Sequence, residues 1–117
     1  MASRYDFPQT IKGDTFNGIL ITIKVNNVPL DLTDAEINMD LRLTPSGVSV
    51  KRFTSIADEH ITISATPTDG KFTFNNQIIS VAAENYKYDI QITLQDDTVK
   101  TYIYGNWTII QDVTYDQ

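Results

Sequence analysis

His60 is the sole histidine of this 117-residue chain, and it stands beside Asp58 and Glu59, with Ser64 four residues on. These are the parts of a nucleophilic triad, in which histidine takes a serine proton and a carboxylate orients the imidazole. The spacing argues against that chemistry. Neighbours along a strand alternate between its faces, so adjacent residues do not converge on one reacting atom. A loop-end histidine is the better reading, and no catalytic residue is assigned. Zinc would need three or four suitable ligands, and a chain with one His and no Cys cannot supply a good set. Asp31 with Asp34, Asp96 with Asp97, and Asp112 with Asp116 could approach a hard cation at one end of a domain. No Asp-x-Asp-x-Asp-Gly loop accompanies them, and solvated turn carboxylates account for them better. The five glycines are isolated, so no phosphate-cradling loop exists. Expected metals and cofactors are none, and the chain is read as not an enzyme.

The aromatic residues are the stronger candidates. Tyr102 and Tyr104 alternate with Thr101 and Ile103, so one set must face solvent or a partner. Tyr5 and Phe7 near one end, and Tyr115 near the other, are aromatics that a solitary domain would leave exposed. Tyr5, Phe7, Tyr102, Tyr104 and Tyr115 are therefore expected to contact a partner, either another copy or a different protein. A sugar-binding platform is the alternative use, since tyrosine joins an apolar face to a polar tip.

The elements that would carry these residues are strands. Ile19, Ile21, Ile23 and Val25 fall on one face of a period-two segment that ends at the turn pair Asn26-Asn27. Val28 to Leu32 reads as an edge piece, because Pro29 cannot donate to a ladder. Ile37, Met39, Leu41 and Leu43 alternate with Asn38, Asp40 and Arg42, which should stay solvated. Short strands follow at Val48–Phe53, His60–Ser64 and Lys71–Phe74, with at most one helical turn near Val81–Glu84. Tyr86 to Leu94 alternates again, Asp96-Asp97 makes a hairpin tip, and Thr98 to Tyr104 returns. Gly105 should mark a bulge or a change of sheet before Trp107 and Ile109 resume the pattern. About seven such strands with turn signals between them read as one all-β, immunoglobulin-like antiparallel β-sandwich over residues 1–117. Val81-x-Ala83-Glu84-x-Tyr86 has the spacing of a tyrosine corner, whose phenol bonds back to upstream backbone. The Pro29–Leu32 piece and the last strand are the expected open edges.

Composition narrows the partners. Hydrophobic residues make up 41%, enough for a core, and no run is long enough to cross a membrane. The net charge is −6 and the nine Lys and Arg are scattered, which argues against nucleic acid. Twelve Asp against three Glu fit a chain of many turns and little helix. The absence of cysteine fits folding in a reducing compartment. The first eight residues hold no apolar leader, so synthesis in a cytoplasm without export is expected.

Gly13-Asp14-Thr15-Phe16, the strand Ile19–Val25 and the run from Val28 to Arg42, with Pro29-Leu30-Asp31-Leu32-Thr33-Asp34-Ala35 at its heart, resemble phage upper-baseplate and tail accessory domains. Tyr86-x-Tyr88-Asp89-Ile90-Gln91, Val99-Lys100-Thr101-Tyr102 and Gly105-x-Trp107-Thr108-Ile109 are similar to their closing hairpin. Asp34 stands where that family usually has glycine. The resemblance covers roughly residues 4 to 113. It implies a structural or docking protein of a virion, assembled in the host cytoplasm, homo-oligomeric, with other virion proteins as partners and no catalytic residues. A host-surface adhesion module is the alternative.

Overall fold

The period-two segments form paired strands in the computed structural model, which describes residues 3–44 and 46–111. Thirteen strands follow in order: β1 (Ser3–Arg4), β2 (Thr10–Ile11), β3 (Thr15–Phe16), β4 (Ile19–Thr22), β5 (Lys24–Val25), β6 (Val28–Pro29) and β7 (Glu36–Arg42). Then come β8 (Lys51–Thr54), β9 (Ile61–Ile63), β10 (Lys71–Phe74), β11 (Gln77–Ile78), β12 (Glu84–Thr93) and β13 (Val99–Ile110). One sheet runs β1-β13-β12-β7-β8, with β2 also on β13. The other runs β4-β10-β9, and β3·β11 and β5·β6 are short added pairs. Two sheets in this order, with their inward faces in one shared core, make the immunoglobulin-like β-sandwich.

The pairing is antiparallel except at one edge. β1 and β2 both lie parallel to β13, Ser3 opposite Ile103 and Ile109 opposite Thr10. The last strand is therefore not an open edge over this half, contrary to the expectation from sequence. Gly105 does not break it either: β13 runs on through the glycine. A side chain there would overlap the Tyr5 carbonyl, so the glycine lets the N-terminal segment lie close against β13. The irregularity falls at Tyr102 instead, the extra residue where Ile90 pairs with Ile103 but Gln91 pairs with Thr101.

The core is aromatic. Trp107 is fully buried, with Phe7 4.7 Å and Phe16 5.2 Å away between ring centroids. Its indole Nε1–H donates to Thr10 Oγ1 at 2.9 Å, and that hydroxyl donates to the Pro8 carbonyl at 3.0 Å. A buried indole needs such a partner. Met39, Leu41, Ile90, Ile92 and Ile23 are buried as their alternation requires, and Ile21 is half-buried. Tyr86 makes the corner: its phenol donates to the Ala82 carbonyl at 2.7 Å. Burial raises its pKa, with the Glu84 charge adding to the effect.

Turn chemistry also follows the sequence. Asn26 and Asn27 both take positive φ, 53° and 65°, as a tight hairpin demands. Asp34 keeps the left-handed conformation, φ 56°, that a glycine would adopt most easily. Val81–Glu84 forms no helical turn; 3₁₀ turns occur at Ile56–Asp58 and Pro67–Asp69.

Candidate functional site

The outward face of the larger sheet carries one cross-strand row. Arg52 lies opposite Asp40, Asp40 opposite Asp89, Asp89 opposite Tyr104, and Tyr104 opposite Arg4. Asp40 is buried rather than solvated, its side chain only 6% exposed. Alternation puts it on the outer face, and the long side chains of Arg52 on β8 and Arg42 on β7 itself cover it there. Arg52 grips it with Nε at 2.8 Å and Nη2 at 3.0 Å, and Arg42 Nη2 stands 3.3 Å away. The Arg52 hydrogen bond holds the Asp40 carboxyl below its usual value against the opposing effect of burial, and Asp40 in turn raises Arg52. Arg42 also reaches Asp89 at 3.3 Å, so it is half-buried between two acids. Asn38 is likewise half-buried.

Beyond this network the row opens into a recess of about 290 Å³, lined by Arg4, Arg42, Lys87, Tyr104 and Asn106 among others. Tyr104 is 44% exposed and is the aromatic that alternation places outward. Lys87 donates to the Asn106 side-chain carbonyl at 2.9 Å. Arg4 pairs with Asp6 at 3.3 Å. Asp6 also accepts the Asn106 backbone N–H at 2.9 Å, and that bond above all lowers its pKa.

The other aromatics expected to meet a partner divide differently. Tyr5 is 46% exposed, with its ring edge-on to Phe7. Phe7 is no partner contact: it is 5% exposed, at the centre of the Phe16, Phe74, Tyr88 and Trp107 cluster. Its backbone N–H donates to the Asn106 carbonyl at 3.0 Å, so the segment is a strand of the chain's own sandwich. Tyr102 packs half-buried against the core, because the bulge turns it away from Tyr104. Tyr115 lies outside the described residues. Tyr88, which alternation assigns to the core, is buried there and also acts as a clasp. Its phenol donates to the Tyr5 carbonyl and ties down the N-terminal strand. Burial pushes that phenol well up from its ordinary value.

His60 and Ser64 are not brought together. His60 Nδ1 accepts the Thr54 backbone N–H at 3.1 Å, which leaves its proton on Nε2, 3.6 Å from Glu59. Burial lowers its pKa and favours that neutral form. Ser64 Oγ donates to Asp69 at 2.9 Å instead. Asp31 accepts the Thr33 N–H at 2.9 Å and its hydroxyl at 2.6 Å, a local turn device. Asp96 does the same for the Thr98 N–H at 3.0 Å. Among the described residues no three His, Cys, Asp or Glu gather as a metal site would need.

No family model and no curated protein matches this chain. Among solved structures it is similar to Drosophila OTK, extracellular domains 3-5, at 16% identity over 89% of this chain, with a TM-score of 0.35. The chain spans 33% of that structure's length. At that score the likeness carries no inference about fold or function.

Proposed function

We propose that this chain is a non-enzymatic structural and docking domain of a bacteriophage particle, acting through protein–protein contacts with other virion proteins. The observation that carries the reading is the corner on which the baseplate resemblance rests. Leu32 is buried at 1% exposure, its N–H donates to the Pro67 carbonyl at 2.9 Å, and Asp31 ties the turn shut. Asp34, in the place usually held by glycine, takes a positive φ, a conformation compatible with a glycine at that position. A run built as a rigid corner suits a scaffold that presents surfaces rather than a loop that closes on a substrate. His60 and Ser64, the side chains whose types could serve hydrolysis, are each committed to separate local hydrogen bonds, which also favours a binding role.

Mass spectrometry of purified particles of the phage that encodes the chain tests this. The expected result is the chain at a fixed copy number. Its absence from particles would overturn the reading.

One observation favours a second use. Tyr104 stands exposed beside a recess rimmed by Arg4, Lys87 and Asn106, a combination that can stack on a sugar ring and bond its hydroxyls. A glycan array read against Tyr104→Ala separates the two. Sugar binding lost in the variant supports adhesion, and no binding by the parent protein leaves docking alone.

A further inference from the structure

The end of the sandwich that holds the β12–β13 hairpin carries two patches of opposite charge side by side. One is a groove of about 820 Å³ between β5 and the first residues of β13. Lys24, Lys71 and Lys100 line it over an apolar floor of Ile23, Leu30 and Ile103. No carboxylate lines it among the described residues, in a chain whose net charge is −6. None of the three lysines makes an ion pair among the described residues; Lys71 donates to Thr22 Oγ1 at 3.1 Å and keeps donors to spare. The sequence leaves Lys100 alone on its strand, and the fold brings the other two to it.

The second patch is the facing pair of turns, where Asp31 and Asp34 meet Asp96 and Asp97. All four are exposed, and Gln95 Nε2 joins the turns by donating to Asp34 at 3.3 Å. The patches touch: Leu30 lines the groove and Asp31 the acidic recess, and Lys100 follows Asp97 on the same hairpin. Each patch repels itself, and no ion pair joins them within the described chain. A surface that carries a basic groove beside an acidic knob is its own complement under a two-fold rotation.

We infer that the groove and knob form an isologous interface between two copies of this chain, the four aspartates of each seated among the three lysines of the other. The inference rests on the reading of the chain as an assembling module and names the surface that assembles. The apolar floor supplies buried area, and the charges set orientation and encounter rate.

Sedimentation equilibrium of the full chain at low and high salt tests it. The parent protein is expected to dimerise at low salt and to weaken as salt rises. K24E/K71E/K100E should raise the dimer Kd by at least about tenfold. D31N/D34N/D96N/D97N should do the same while keeping the turns, since asparagine accepts the same bonds and tolerates positive φ. An equimolar mixture of the two variants should associate better than either alone, because one half of the interface is then intact. A misfolded variant could not produce that recovery. A parent chain that stays monomeric at low salt, a dimer that withstands both variants, or a mixture that gains nothing would overturn the inference. A chain that pairs in this way but is missing from particles would sink the phage reading and leave the interface standing.

Discussion

The two halves of β13 answer the same problem in opposite ways. From Ile103 to Ile110 its outer edge is covered by the chain's own N-terminal segment: β1, the Tyr5 and Phe7 N–H groups, and then β2. From Val99 to Tyr102 no strand covers that edge among the described residues, and Lys100 stands there beside the lysine groove. An uncovered strand edge invites pairing, and proteins guard such edges with covering segments or with charge. This strand uses both devices. The switch between them falls at the Tyr102 bulge, and Gly105, inside the covered half, lets the covering segment lie close. The covered half is sealed by packing, and among the described residues the open half is guarded by charge rather than by a strand.

That contrast can be broken most violently at Phe7. Phe7→Ala leaves a cavity beside Trp107 and should cost about 3–5 kcal/mol in a denaturant melt, as buried Phe truncations do. If Phe7 were instead a surface contact, the loss would be near zero. Gly105→Ala puts a methyl against the Tyr5 carbonyl and should cost about 1–3 kcal/mol as an overpacked site. Hydrogen exchange should show the loss first at the Tyr5 and Phe7 amides. Exchange unchanged there would mean the glycine is not the point of approach. Tyr86→Phe deletes the corner bond and leaves the Ala82 carbonyl short of a partner, at about 1–3 kcal/mol. An unchanged melt would mean that water replaces the phenol without loss.

Acid should loosen the covered half at Asp6. The Asp6 carboxyl is depressed below 3.8 by the Asn106 N–H and then by Arg4. Its contribution is complete above the unfolded value and fades as pH falls through the lower folded one. Exchange of the Asn106 amide should therefore quicken in that acid window, and Asp6→Asn should flatten the response. Lys100→Ala, on the open half, should leave stability within about 0.5 kcal/mol of the parent, as surface changes do. A larger loss would mean the lysine is part of the fold rather than of a surface.

What the sequence discloses follows from how local each contact is. β7 and β12 are legible because alternation is written residue by residue, and the corner is legible because Tyr86 reaches back only four residues, to Ala82. Phe7 reads as a loose terminal aromatic because its partners lie near position 106, and a parallel pairing across that span leaves no local mark. Asp40 is misjudged for a related reason. Its strand assigns it a side, but its cover comes from Arg52, which a separate strand sets opposite it. Alternation sets Tyr102 on the same face as Tyr104 because it cannot foresee an inserted residue. The groove is illegible for the same reason: Lys24, Lys71 and Lys100 meet only in space.

The parallel seat of the N-terminal segment has a consequence for how the molecule is made. Asp6 bonds Asn106 across a separation of 100 residues, so the first strand has nowhere to dock until the last has been synthesised. On a ribosome the segment carrying Tyr5 and Phe7 emerges before β13 and docks only after it, with its apolar rings waiting in water. Contacts of such long sequence separation close slowly, since the loop entropy is lost before the contact is gained. The sheets β12·β13 and β12·β7, joined by nearer neighbours, can form before it. Folding should thus finish with a late step in which one short strand slides past Gly105 and Phe7 drops onto Trp107. Until then the aromatic core lacks its central ring, and the molecule is most open to wrong partners while it waits.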